Sequence, residues 1–360
     1  MAAKITNVLI VAPALEQTIN VSGVSAITIF IITNNKECHY KHFLQGKSDG
    51  ERGTVNKILR IARNYKEWKR LLKDTDADVI HYNFPLETPS ILRDFFFMRL
   101  AYKMGKKMVI HLHGGLYLFK EKKPFVIRQF LNRVFSWKCP FIVLSEKEKE
   151  RIQQDYHTKN TSVLPNCVDL SDARLYSKAI VSMHLDILYL GRIEPNKGMD
   201  FLYKALEKWR KEYNDFTLHF AGTEQGGRRY IEKYQQLLGD KFIYEGVVSG
   251  EKRNELFKNC QIFILPSLYE GLPMSLLECM SYGLVPVVTD VGSIGEYVKD
   301  QENGLLIKAG DVDSIIDALR SLSQDSCLLQ RLSKEAQQTI LTRLSPQDYI
   351  SKLNQLYSQC

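Results

Sequence analysis

Residues 261–290 restrict what this chain can fold into more than any other stretch. Gln261-Ile262-Phe263-Ile264-Leu265-Pro266 is a short apolar run, and Val285-Pro286-Val287-Val288-Thr289-Asp290 is another. Both read as buried strands. Between them, Tyr269-Glu270-Gly271-Leu272-Pro273-Met274-Ser275-Leu276-Leu277-Glu278-Cys279-Met280-Ser281-Tyr282-Gly283 holds a short helix. Pro273 suits its first position, where a missing N–H costs nothing, and Gly283 suits the left-handed residue past its end. Strand, helix and strand in succession make a β-α-β unit with both strands parallel in one sheet. The loop before the helix then opens at the carboxyl edge of the sheet, where α/β proteins bind ligands. Free N–H groups at the helix start favour an anion there. Glu270 lies in that loop and Glu278 inside the helix.

The rest of the chain repeats the alternation. Strands are expected at 8–12, 78–82, 107–113 and 140–144, and helices at 56–73, 89–103 and 125–136, with Thr88 and Ser145 at cap positions. Residues 26–33 are rich in β-branched side chains and locally favour a strand. Further strands are expected at 184–190, 217–222, 243–248 and 304–307, and helices at 199–214, 230–238, 251–258 and 311–322. A length of 360 residues suits two domains, 1–175 and 182–340, with a polar linker over 171–181. In the tail, Ile350, Leu353 and Leu356 fall at helical spacing, so 341–360 reads as a closing helix. No Gly-x-Gly-x-x-Gly occurs, and a dinucleotide site is not supported.

Composition narrows the function classes. The seven cysteines are scattered and form no Cys-x-x-Cys, so neither a disulfide framework nor a zinc site is indicated, and a reducing cytoplasm fits. No secretory leader heads the sequence, and the longest apolar run, 21–33, is too short for a membrane span. The net charge of +8 is concentrated: residues 93–138 hold eleven Lys or Arg against Asp94 and Glu121, or +9. Aromatic residues interleave with these charges. Such a stretch suits nucleic acid, an anionic membrane surface, an anionic glycan, or plain solvation. The Asp74-Thr75-Asp76 and Asp311-Val312-Asp313 strings sit at a helix end and a helix start, where capping explains them without a metal. His111 and His113 share one face of a strand, and His111 reads as a core histidine. A metal pair would lack a third ligand nearby.

Gly191-Arg192-Ile193-Glu194-Pro195-Asn196-Lys197-Gly198 follows the strand at 184–190. A guanidinium grips phosphate through a planar fork and an ammonium acts as a mobile point charge. Two solvated basic residues in a turn would look the same in isolation. The order Pro266-Ser267, Glu270-Gly271-Leu272-Pro273, Leu276-Leu277-Glu278, Gly283, Val285-Pro286-Val287-Val288 resembles the E-x7-E signature of the retaining glycosyltransferases of family 4. Arg192 and Lys197 in G-R-x4-K-G resemble that family's diphosphate clamp. Weaker resemblances cover Ser22-Gly23-Val24, where the family usually has paired glycines, and Pro165-Asn166-Cys167-Val168-Asp169 at the end of the first domain.

The resemblance implies an α/β protein of the GT-B class: two Rossmann-like, doubly wound domains facing across a cleft, with the last helix crossing back onto the first. It places a helix, not a strand, at 26–33. It implies sugar transfer from a nucleoside diphosphate sugar, a UDP-sugar on family frequency, to a glycan hydroxyl with retained configuration. Arg192 and Lys197 would hold the diphosphate and Glu278 the ribose. Glu270 and His113 would face the donor sugar, with backbone groups of Gly271, Leu272, Pro273 and Met274 around it. Val248 would lie beside the base and Gly23 in the loop after the first strand. No cofactor and no essential metal are expected. The expected partners are the nucleotide-sugar donor and a lipid-linked acceptor of bacterial surface polysaccharide assembly, with no nucleic acid. A cytoplasmic enzyme lying on the inner face of the membrane is expected. A nucleotide-sugar epimerase of the same architecture and a non-enzymatic, basic nucleic-acid-binding protein are the rival readings.

Overall fold

The computed structural model describes residues 5–16, 22–46, 54–120, 122–179, 184–225 and 229–360. Glu121 and the end of the expected linker, 180–181, lie outside the described residues. The chain forms two compact units: Met1–Asn166 with Gln347–Cys360, and Cys167–Pro346. Residues 167–175, read from sequence with the first domain, therefore belong to the second unit.

The first unit runs β1 (Thr6–Ala12), α1 (Gly23–Asn34), β2 (Cys38–Leu44), α2 (Thr54–Asp74), β3 (Val79–Pro85), α3 (Thr88–Lys103), β4 (Met108–His113), α4 (Leu116–Phe119), α5 (Phe125–Phe135), β5 (Phe141–Val143), α6 (Glu146–Tyr156) and β6 (Thr161–Val163). Its strands are all parallel, in the order β2-β1-β3-β4-β5-β6. The β-branched run at 26–33 is helical. The Ser22 hydroxyl accepts from the Ser25 N–H at its start, and Ile27, Phe30 and Ile31 are buried. Tertiary burial overrides local strand preference here. Strand β2 has no counterpart in the sequence reading. It is an edge strand, CHYKHFL, and only Phe43 among its residues is buried. Thr88 is not a cap: Glu87 holds that position without a side-chain bond, and the Thr88 hydroxyl meets the Tyr117 hydroxyl instead.

The second unit runs β7 (Leu185–Leu190), α7 (Met199–Trp209), β8 (Phe216–Ala221), α8 (Tyr230–Leu238), β9 (Phe242–Gly246), α9 (Gly250–Asn259), β10 (Ile262–Leu265), α10 (Met274–Ser281), β11 (Val285–Thr289), α11 (Ile294–Tyr297), β12 (Leu305–Ile307), α12 (Val312–Gln324) and α13 (Ser326–Arg343). Its parallel order is β12-β11-β10-β7-β8-β9. This is the doubly wound Rossmann order, reversing direction between β7 and β10. Helix α13 was not anticipated from sequence. Pro273 is the residue before α10 rather than its first position, and Gly283 is left-handed at φ +77°. Asp311 caps α12 through the N–H groups of Asp313 and Ser314.

Helix α14 (Pro346–Ser358) carries the chain back, and from Gln347 it packs within the first unit. Phe30 and Tyr349 meet edge to face at 5.5 Å, and Asn35 donates to Asn354 at 2.7 Å. The Tyr357 hydroxyl reaches His81 Nδ1 at 2.7 Å, and His81 Nε2 lies 3.2 Å from His111 Nδ1. His111 is fully buried, as expected of a core histidine, and its ring lies 4.1 Å from that of His113.

Burial holds these three histidines neutral: His81 and His113 are pushed down to about 3, and His111 is lowered by burial and by its two neighbours. Folded values below the ordinary one mean that the unfolded chain binds more protons. The contribution of His81 and His113 to stability is full above about pH 6.5 and is lost as pH falls toward 3, at up to ~1.4 kcal/mol per pH unit for each. Urea midpoints should therefore drop between pH 7 and 5, and His81→Gln should make that drop shallower. An unchanged slope in the variant would assign the acid sensitivity to carboxylates instead.

Candidate functional site

In the second unit the candidate residues gather where β7 and β10 diverge. The segment after β7 carries Arg192, then a short 3-10 turn over Pro195–Lys197, then Gly198. The segment after β10 carries Pro266, Ser267 and Glu270. The two segments interlock. A Cβ on Gly198, which sits at φ +76°, would fall 1.9 Å from the Pro266 carbonyl oxygen, so no other residue fits without moving the backbone. The Leu268 N–H donates to the Asn196 carbonyl at 2.9 Å.

The same contact brings the charges together. Lys197 Nζ lies 2.6 Å from Glu270 Oε1, and the Ser267 hydroxyl donates to that oxygen at 2.7 Å. Both side chains of the ion pair are largely withdrawn from water. The Glu270 loop is also held from β11 and beyond. Thr289 donates to the Ser267 carbonyl at 2.6 Å and the Ser293 N–H to the Gly271 carbonyl at 3.0 Å. Gly292, at φ +61°, leaves the space a Cβ would take 2.2 Å from the Glu270 carbonyl oxygen.

Arg192 is half-exposed and lies 3.7 Å from Glu194. Its carbonyl accepts from the buried Tyr189 hydroxyl at 2.5 Å. Burial pushes the Tyr189 phenol up, the Glu270 and Glu194 carboxylates push it further, and Arg192 opposes them.

Glu278 projects from α10 and pairs with Arg253 of α9 at 3.0 Å. Burial pushes the Glu278 carboxyl up, and Arg253 partly offsets this. Arg253 was absent from the sequence reading. It lies 25 residues from its partner, on the helix before β10 where Glu278 is on the helix after it, and only the fold brings the two together. Val248 is buried in the loop after β9, next to the β8 end, where the Gly222 N–H donates to the Gly246 carbonyl at 2.7 Å. Leu272 and Met274 are buried, while Gly271 and Pro273 are half-buried at the start of α10.

His113 and Gly23 belong to the first unit, again at a reversal of strand order, here between β1 and β3. His113 ends β4 and its Nε2 lies 2.7 Å from Asn83 Oδ1 on β3. Asn83 donates from Nδ2 to the Val11 carbonyl at 2.9 Å and to Thr28 at 3.3 Å. Its Oδ1 must therefore accept, which places the proton of His113 on Nε2 and leaves Nδ1 with a lone pair. Gly23 is the first residue of α1, directly after its Ser22 cap.

The basic segment does not form one surface. Arg93 makes a two-bond pair with buried Asp94 at 2.6 and 2.8 Å, and Lys123 lies 3.5 Å from Asp155. Lys106, Lys107 and Lys138 lie before the amino ends of β4 and β5, whereas Lys120 and Lys122 follow the carboxyl end of β4.

Residues 177–339 match the family model described as glycosyl transferases group 1, and residues 35–172 match that of glycosyltransferase family 4. The chain is 28% identical over 217 residues to an uncharacterized glycosyltransferase of Methanocaldococcus jannaschii, a match covering 56% of this chain and only 54% of that relative. It is 26% identical to the UDP-Gal:alpha-D-GlcNAc-diphosphoundecaprenol alpha-1,3-galactosyltransferase of Escherichia coli, over 80% of this chain and 77% of that one. Its fold superposes on sucrose-phosphate synthase from Thermosynechococcus elongatus with a TM-score of 0.79 over 98% of both chains, at 16% identity. With two family models laid end to end over two Rossmann-like units, the chain belongs to family 4 of the glycosyltransferases, on the GT-B fold.

Proposed function

We propose that this protein transfers a sugar from a nucleoside diphosphate sugar, a UDP-sugar, to a hydroxyl of a lipid-linked glycan acceptor in bacterial surface polysaccharide assembly, with retained configuration. The observation that carries this reading is the Arg192, Lys197 and Glu270 cluster at the β7/β10 reversal. The Escherichia coli relative, a galactosyltransferase of GlcNAc-diphosphoundecaprenol, supports the lipid-linked acceptor class.

In the proposed reaction the bond between the sugar C1 and the diphosphate oxygen breaks. Negative charge grows on the diphosphate, and Arg192 and Lys197 oppose it. The acceptor oxygen bonds to C1 from the same face, and its proton passes to the departing phosphate oxygen. Lys197 is held at one end by Glu270, which limits the motion of an otherwise flexible ammonium. The Glu270 carboxylate retains further acceptor capacity for sugar hydroxyls. Glu278 accepts from the ribose hydroxyls, and Arg253 counters the effect of burial on its charge. His113, neutral and with Nδ1 as acceptor, takes a hydrogen bond from a sugar hydroxyl or faces the positive charge developing at C1. The reaction is proposed to run without metal or cofactor, because two cationic side chains occupy the role a metal would fill.

Arg192→Ala and Lys197→Ala should each lower kcat/KM by ~10²–10³, the scale of losing one preorganised charge-stabilising contact. Glu278→Gln should chiefly weaken nucleotide binding by calorimetry, and Glu270→Gln should chiefly lower kcat. Among UDP, GDP, ADP and dTDP, UDP should raise the melting temperature most; at 100 times Kd a ligand adds about 2.7 kcal/mol. Unchanged turnover in both basic variants would remove the diphosphate assignment, and equal affinity loss in both glutamate variants would remove the division between them.

The proposed location is the cytoplasmic face of the membrane. Among the described residues no helix is long and apolar enough to cross a bilayer. An adhesive patch is available where α4 leads into α5. Phe119, Phe125 and Val126 are exposed there beside Lys120, Lys122 and Arg128, and the Arg128 guanidinium lies 5.7 Å from the Phe125 ring centre. Apolar side chains entering the interface and cations worth about 1 kcal/mol each give reversible binding. Flotation with phosphatidylglycerol vesicles should fall with salt and in a Phe125→Ser, Lys122→Gln variant. A wild type that ignores such vesicles at low salt would end the membrane reading.

A further inference from the structure

The amino edge of the first sheet holds a second, separate cationic feature. Strands β4, β5 and β6 are parallel, so the residues leading into them converge on one edge. Those lead-ins supply Lys106 and Lys107, Lys138, and Lys159, and together with Tyr102, Thr161, Gln359 and Cys360 they line a pocket of about 750 Å³. That volume is in the range of small-molecule sites. His113 closes the other end of β4, six residues away, or about 17–20 Å at the rise of a strand. The pocket is thus distinct from the residues assigned to sugar transfer.

Three features point to an anionic ligand. No Asp or Glu lines the pocket, and none of its four lysines has a carboxylate partner among the described residues. The Thr161 side chain is 7% exposed and its hydroxyl has no hydrogen-bond partner among the described residues. Tyr102 is stacked on Trp137 at 4.9 Å, which holds a partly exposed ring rigid at the rim.

We propose that this pocket binds a phosphate-dense anion, through four lysine ammonium groups converging from the starts of three parallel strands. Ammonium groups suit an anion with several phosphate oxygens, because each is a point charge that needs no planar partner. The proposal stands independently of the transfer reaction.

Inorganic pyrophosphate is the probe, titrated calorimetrically into the full chain at low salt. Binding should persist in an Arg192→Ala, Lys197→Ala variant. It should weaken at least tenfold in a Lys106→Gln, Lys107→Gln, Lys138→Gln, Lys159→Gln variant whose melting temperature and transferase activity match the wild type. The lysines are exposed or half-exposed, so these changes leave the core intact. Flotation with phosphatidylglycerol vesicles separates the sources. A soluble ligand is indicated when the lysine variant loses pyrophosphate and still floats. A lipid headgroup is indicated when the lysine variant loses flotation without any pyrophosphate effect. If the lysine variant matches the wild type in both measurements, or if Arg192→Ala with Lys197→Ala removes all pyrophosphate binding and flotation is unaffected by the lysines, the proposal is overturned.

Discussion

The second unit depends on one ion pair set between two loops. Lys197 and Glu270 approach to 2.6 Å where the chain leaves β7 and β10 in opposite directions. Taking two charges out of water costs several kcal/mol per ion, and attraction repays this only with good geometry and further hydrogen bonds. Ser267 supplies one such bond, and close backbone approaches at Gly198 and Gly292 hold the two loops together around the pair. Removing one partner would leave a buried charge, a loss of ~3–5 kcal/mol in comparable sites. The pair therefore does two things: it joins the loops, and it presents a cation in a fixed place at a strand-order reversal.

The first unit organises its own reversal point with neutral groups. Asn83 is held by the end of β1 and by Thr28 in the middle of α1, and it in turn sets the tautomer of His113. Beneath them His111 and His81 continue a buried polar chain to Tyr357 of α14. A helix that returns from the far end of the sequence is thereby tied by hydrogen bond and ring contact to the same histidine stack. Neutral imidazoles tolerate this burial at neutral pH, whereas protonated ones would not. The two units thus solve the same topological problem with different chemistry: charge with countercharge in one, amide with neutral imidazole in the other.

A parallel sheet has two unlike edges, and the charges of the first unit divide between them. A count along residues 93–138 suggests one basic surface, yet Arg93 is consumed by Asp94 and Lys123 faces Asp155. The remaining lysines separate by the direction of β4: those before it go to the amino edge, those after it to the carboxyl edge. Strand direction, not sequence proximity, decides which cations act together. Lys159, outside the segment in sequence, joins the amino-edge group because β6 lies beside β5.

Sequence alone determined the β-α alternation, because buried parallel strands are continuous apolar runs and the helices between them keep a 3.6-residue period. It also determined the positions of Arg192, Lys197, Glu270 and Glu278, since each sits at a fixed offset from such a run. Edge strand β2 stayed hidden because only one of its seven residues is buried, so it carries no apolar run. Residues 26–33 stayed ambiguous because β-branched side chains favour strands locally, and a Ser22 cap with burial against the core outweighs that preference. Only the tertiary structure decided who meets whom. The Lys197–Glu270 contact spans 73 residues, Arg253 of α9 reaches Glu278 of α10, and four lysines from three strand starts line one pocket. Those pairings follow from strand order, which depends on how the sheet assembles and leaves no local mark in the chain.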